Sequence, residues 1–100
     1  MNIELISDGA HAQIRVEGRV DTATAPQLQE YVAGMSVSAE SLAIDCSSLE
    51  YLSSAGLRAL LFAHKRFAAQ GNPLILENVS PSVRDVLDLT GFSAVFDVRS

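Results

Sequence analysis

The stretch Leu42-Ala43-Ile44-Asp45-Cys46-Ser47-Ser48-Leu49-Glu50-Tyr51-Leu52-Ser53-Ser54-Ala55-Gly56-Leu57 decides the fold. It opens on a short continuous apolar run, Leu42-Ala43-Ile44, of the kind that suits an interior strand covered on both faces. It closes on a helix start. With Ser53 as the N-cap, Leu52 precedes the cap and Leu57 takes the fourth helical position, so the two leucines can pack as a hydrophobic staple. The Ser53 hydroxyl can then accept from a free backbone N–H of the first turn, a contribution of about 1 kcal/mol. Ser54 becomes the first helical residue, with a hydroxyl that has no capping duty and points to solvent. Gly56 costs about 1 kcal/mol relative to alanine in a helix. It is expected to leave the first turn open to a molecule approaching from outside. From the residues alone, both serines also read as ordinary helix-start residues.

The neighbouring segments extend this core. A helical pattern covers residues 54–69, and the turn Gly71-Asn72-Pro73 leads into a second apolar run, Leu74-Ile75-Leu76. Strand, helix and strand at this spacing predict a parallel crossover of right-handed sense. Towards the N-terminus, Ile3 and Leu5, then Ala12, Ile14 and Val16, alternate with polar residues around the turn signal Asp8-Gly9, which predicts a hairpin. Thr24 is expected to open a helix, with Gln27 three residues on as a capping-box partner and Pro26 in the first turn. Leu28, Val32 and Met35 give that helix one apolar stripe. A last helix is expected to start at Ser80-Pro81, turn Val83, Val86 and Leu87 inward, and stop at Gly91. Phe92, Val95, Phe96 and Val98 should fold back onto the core. The elements add up to one α/β domain over residues 1–100, a mixed four- to five-stranded sheet with helices mainly on one face. A chain of 100 residues can form such a core without metal or disulfide staples.

The charge balance narrows the function. The net charge is −5 and the seven basic residues are scattered, which disfavours nucleic acid and anionic membrane surfaces as partners. No apolar run is long enough to span a bilayer. The N-terminal residues lack the pattern of a signal peptide, so a cytoplasmic location is expected. Cys46, the single cysteine, ends an apolar run and reads as a buried thiol. An enzyme is not expected. There is no Gly-x-Ser-x-Gly elbow, and His11 and His64 stand apart from any metal-type cluster. His64 shares a helical face with Leu57, Leu60, Leu61 and Phe67, as a partly buried core histidine would. No metal or cofactor is implied.

On the opposite face of the same helix a 100° wheel places Arg58, Phe62, Lys65, Arg66 and Ala69. Phe62 is thus an aromatic among cations on a face expected to see water, and a candidate partner contact. Asp21 precedes the first helix, where aspartate often makes a turn. Asp45 ends a strand, close in sequence to the two serines.

Asp45 followed by Leu52-Ser53-Ser54-Ala55-Gly56-Leu57 resembles the phosphorylation-site signature of the STAS family, especially its bacterial anti-sigma factor antagonists. Gly18-Arg19-Val20-Asp21 looks like the family's Gly-x-Leu-Asp segment. Gly71-Asn72-Pro73-Leu74 and Val86-Leu87-Asp88-Leu89-Thr90-Gly91 also look like family segments, so the resemblance runs through essentially the whole chain. The usual family core is Asp-Ser-Ser-Gly-Leu with its first serine phosphorylated. Laid on this chain, that serine is Ser54, with Ser53 in the place of the aspartate and Ala55 in the place of the second serine. Ser53 is the alternative acceptor.

The resemblance implies a partner switch. An anti-sigma factor with serine-kinase activity phosphorylates the protein and loses affinity for it, and a PP2C-type phosphatase reverses the change. The unphosphorylated form captures the anti-sigma factor and frees a sigma factor. ATP belongs to the partner, since this chain has no Walker-type phosphate loop. Asp21, Ser53, Ser54, Gly56, Arg58 and Phe62 are the expected partner-binding residues. The alternative is a non-phosphorylated STAS subunit or regulator of a transporter complex.

Overall fold

The computed structural model describes residues 1–35, 39–72 and 74–100. Pro73 of the expected turn lies outside the described residues, while Gly71 beside it has the positive φ of 74° that a turn glycine supplies.

The chain runs β1 (Asn2–Ser7), β2 (His11–Val20), α1 (Ala25–Ala33), β3 (Ser41–Asp45), β4 (Leu49–Leu52), α2 (Ser54–Ala68), β5 (Leu74–Glu77) and α3 (Pro81–Thr90). A 3-10 turn (Phe92–Ala94) and a short strand β6 (Asp97–Val98) close it. The sheet follows the order β1-β2-β3-β5-β6, with β4 paired to β2 outside that path. Among the described residues only the β1/β2 hairpin is antiparallel. The expected parallel pair of β3 and β5, joined through α2, is present. The sheet has six strands among the described residues, more than the four or five expected, because β4 and the two-residue β6 also pair.

Register sorts the side chains onto two unlike faces. Ala12, Leu42 and Leu74 lie side by side on β2, β3 and β5, as do Ile14, Ile44 and Leu76. All six are buried. The helices cover this face with Leu28 and Val32 of α1, Leu57, Leu60, Ala63 and Phe67 of α2, and Val83 and Leu87 of α3. The other face carries a row of charge, since Glu4, Arg15, Asp45 and Glu77 are in register across β1, β2, β3 and β5.

The expectation that both apolar runs are covered on both faces is therefore corrected. Ala43 and Ile75, the middle residues of those runs, point to the charged face and are half-buried. Their row neighbour Gln13 reaches across to donate to Glu77 at 3.1 Å. A three-residue strand segment presents its middle side chain to the reverse face whatever its composition, so a short apolar run does not by itself signal two covered faces.

Two helix starts follow the sequence reading and one does not. Ser80 caps α3 by accepting from Val83 N at 3.3 Å, and the helix ends at Gly91 with φ 80°. The first helix lacks its expected capping box. Thr24 precedes α1 but makes no side-chain cap. Its hydroxyl instead donates to Arg19 O at 2.8 Å and accepts from Asp21 N at 2.9 Å. Asp21 takes over the first turn, its Oδ1 accepting from Ala23 N and Thr24 N at 3.0 and 3.1 Å. The C-terminal segment folds back in part: Phe92, Phe96 and Val98 pack on the core, whereas Val95, expected to join them, is exposed. Phe96 is buried and stacks on Phe92, with ring centroids 5.6 Å apart.

Candidate functional site

The C-terminal ends of β2 and β4 bring together Asp21 and the start of α2. β2 is long enough to pair twice, with β3 over its first half and with β4 over Gly18–Val20. Val20 lies beside Leu52. Val20 O then accepts from Ser53 N at 2.9 Å, which pins the start of α2 to the end of β2. Asp21 and Ser53 thus emerge next to one another, although 32 positions separate them in the sequence.

The start of α2 divides the two serines. Ser53 is extended (φ −87°, ψ 177°), and its Oγ accepts from Gly56 N at 3.2 Å. One lone pair of that oxygen is committed to the cap, and Ser53 is half-buried. Ser54 is the first helical residue and is exposed. The N–H groups of Ser54 and Ala55 have no acceptor within the helix, as for the first residues of any α-helix. Leu52 and Leu57 are both buried on either side of this turn.

Gly56 corrects the expectation that it opens the first turn outward. It is buried. A β-carbon there would come within 2.7 Å of Val20 O and of Leu52 Cδ1, and 3.0 Å from Val20 Cγ1. The glycine faces inward and lets the helix start sit directly on the end of β2. It sets the position of Ser54 without touching anything outside.

Asp45 does not face the serines. It is 5 % exposed and lies on the charged side of the sheet. Its Oδ2 accepts from Arg15 Nε at 2.9 Å, and its Oδ1 accepts from Asn78 Nδ2 and Ser47 N, each at 3.0 Å. Burial alone would push its carboxyl up. The hydrogen bonds from Asn78, Arg15 and Ser47 outweigh this and hold it well below the usual carboxylate range. Asp45 therefore ties the loop between β3 and β4, through Ser47, to the loop that leads to α3, through Asn78. Asp21 is also held below its ordinary value. Desolvation opposes the shift, and the hydrogen bonds of Thr24 and Ala23, with the nearby Arg19, reverse it. Burial pushes the Cys46 thiol up to about 12, so it is an inert core group.

The residues expected on the outer face of α2 separate. Arg58 and Lys65 are exposed. Arg66 donates to Met35 O at 3.0 Å and so ties α2 to the end of α1. Phe62 is half-buried rather than open to water, because α1 packs alongside α2 and places Pro26, Gln29, Glu30 and Ala33 around it in a shallow groove. His64 is half-buried as expected, edge-on to Phe96 at 5.7 Å.

Two residues near the site escaped the sequence reading. Arg19 and Tyr51 are partners across β2 and β4, and the guanidinium lies over the tyrosine ring, 4.2 Å from its centroid. Both are exposed. Their signal was the alternation with buried Val20 and Leu52, legible only once β4 is known to be a strand. No group of three or more His, Cys, Asp or Glu among the described residues is arranged for a metal ion. No helix among them is long and apolar enough to cross a membrane.

Comparison with known proteins agrees with this architecture. The STAS domain family model matches residues 2–100. A protein of Bordetella bronchiseptica named as a candidate anti-sigma factor antagonist, BtrV, is 34% identical over 86 residues, spanning 85% of this chain and 74% of that protein. The anti-sigma-B factor antagonist of Bacillus subtilis is 26% identical over 100 residues, covering 100% of this chain and 92% of its own. The crystal structure of an anti-sigma factor antagonist from Mycobacterium paratuberculosis superposes with a TM-score of 0.81 at 26% identity, over 98% of this chain and 86% of that one.

Proposed function

The chain belongs to the STAS domain family, and from that premise we propose that it is an anti-sigma factor antagonist whose binding is switched off by a phosphate on Ser54. Relatives that match most of the chain carry the names of such antagonists rather than of enzymes. The observation that carries the reading is the division of labour at the start of α2. Ser53 is held by its cap to Gly56 N, and the neighbouring Ser54 hydroxyl is exposed with no structural task.

The partner is an anti-sigma factor that is also a serine kinase and brings its own ATP, and a PP2C-type phosphatase resets the switch. The protein works by binding and has no catalytic group of its own. Asp21, Ser53, Ser54 and Arg58 form the partner-facing part of the site. Gly56 and Phe62 shape it from the inner and α1-facing sides of α2.

The switching step follows from electrostatics. A phosphate adds about −1.5 to −2 charges. At a helix N-terminus the dipole and free N–H groups favour an anion, so the fold is retained. A partner packed on the bare first turn would have to desolvate that dianion, which is costly. A loss of about 2–3 kcal/mol weakens binding roughly 30- to 150-fold.

The test is a binding assay with the host's kinase-type anti-sigma factor. Wild type should form a complex that ATP dissolves, Ser54→Ala a complex that ATP leaves intact, and Ser54→Asp little complex. Release of Ser54→Ala by ATP as readily as wild type, or capture of a transporter subunit in place of an anti-sigma factor, would overturn the reading.

A further inference from the structure

Seven basic side chains serve this acidic chain, and most are occupied. Ion pairs engage Arg15, Arg19, Arg84 and Arg99, and Arg66 is bonded to Met35 O. Among the described residues this leaves Arg58 and Lys65, both exposed on α2. The positions one turn from Arg58 in either direction are Ser54, Ala55, Leu61 and Phe62, so it lacks the carboxylate partner that an exposed helix arginine commonly has. It does have Ser54, four residues earlier on the same face. Side chains on a helix lean towards its N-terminus and cover the preceding turn, so the natural reach of the Arg58 guanidinium is over the Ser54 hydroxyl.

We propose that Arg58 is the phosphate-holding residue of this protein: when Ser54 carries a phosphate, the Arg58 guanidinium binds it within the same helix. This rests on the reading of Ser54 as the phosphoacceptor and adds a group that receives the product. A guanidinium presents a planar pair of donors that matches two phosphate oxygens, which an ammonium does not. The pairing has a consequence for the switch. In the unphosphorylated protein Arg58 is an exposed cation beside the partner-facing serine. In the phosphorylated protein the same cation is taken up by its own helix, so phosphorylation both adds a dianion and withdraws a positive charge from the surface.

The test installs phosphoserine at position 54 during synthesis and follows the phosphorus NMR shift against pH. A guanidinium in contact favours the dianion, so Arg58→Gln should raise the second phosphate ionisation by about half a pH unit relative to wild type. Arg58→Lys should restore only part of the difference. Lys65→Gln removes the same charge further along α2 and should titrate like wild type. If Arg58→Gln and Lys65→Gln titrate alike, or if Arg58→Lys matches wild type in full, the assignment is overturned. The phosphate is built in, so failure of a kinase to modify Ser54 would remove the proposed function while leaving this measurement to stand or fall alone.

Discussion

The starts of α2 and α3 are built to one plan and differ in two positions that matter. Each follows a strand end, and each is capped by a serine that accepts from the third helical N–H, Ser53 from Gly56 N at 3.2 Å and Ser80 from Val83 N at 3.3 Å. The first helical residue is Ser54 in α2 and Pro81 in α3. Proline there satisfies the helix and nothing else, whereas Ser54 offers an exposed hydroxyl. The third position differs as well. Val83 fills its space in the core, while Gly56 leaves room for Val20 and Leu52. A serine before a helix is thus a structural device in both places, and only in α2 is the next residue a second, exposed hydroxyl.

Breaking the anchor at the strand ends behind the two starts should have the largest effect. Asp45 holds the loop between β3 and β4, through Ser47 N, and the loop before α3, through Asn78 Nδ2. Asp45→Ala leaves Arg15 Nε, Asn78 Nδ2 and Ser47 N without their acceptor and should cost about 2–3 kcal/mol in urea unfolding. The effect has a pH signature. The folded-state value is lowered, so the contribution is present above the unfolded value of about 4 and is lost as the pH falls below it. The gap between wild type and Asp45→Ala should therefore be widest near neutrality and shrink on acidification. A gap that grows in acid would show that the carboxylate is not the stabilising form.

Gly56→Ala sharpens the difference at the third position. Helix propensity alone makes this change stabilising by about 1 kcal/mol. The contacts at 2.7 Å from Val20 O and Leu52 Cδ1 should win, for a net loss of about 2 kcal/mol. A more stable Gly56→Ala would mean that the helix start does not sit tightly on β2.

Removing the caps probes what the two starts have in common. Ser53→Ala and Ser80→Ala should each cost about 1 kcal/mol, close to one another. Ser54→Ala should change the thermal midpoint least, by less than about 0.5 kcal/mol in stability. A Ser54→Ala protein as unstable as Ser53→Ala would give the exposed hydroxyl a structural role and erase the contrast between the serines.

Much of this was legible in the sequence because local signals and the global fold agreed there. The runs at Leu42 and Leu74, the serine caps and the Gly91 stop each rest on a short-range rule that tertiary packing left in force. β4 was illegible. It is only four residues long, with Leu49 and Leu52 buried and Glu50 and Tyr51 exposed, and this breaks the period of two. A register shift in its pairing with β2 at Gly18 and Arg19 accounts for the break. With β4 unseen, the Arg19–Tyr51 pair could not be placed. The orientation of Gly56 and the covering of Phe62 by α1 depend on neighbours distant in sequence, and a helical wheel carries no information about those. Thr24 shows the same limit. It had the residues of a capping box, but the turn formed by Asp21 captured its hydroxyl first.

The most direct test of the account is to map the phosphate after incubating wild type, Ser53→Ala and Ser54→Ala with the kinase-type anti-sigma factor and ATP. Wild type and Ser53→Ala should carry phosphate on Ser54, and Ser54→Ala should carry none. Phosphate on Ser53, or a folded Ser53→Ala protein that takes up no label, would contradict the division of roles between the two serines.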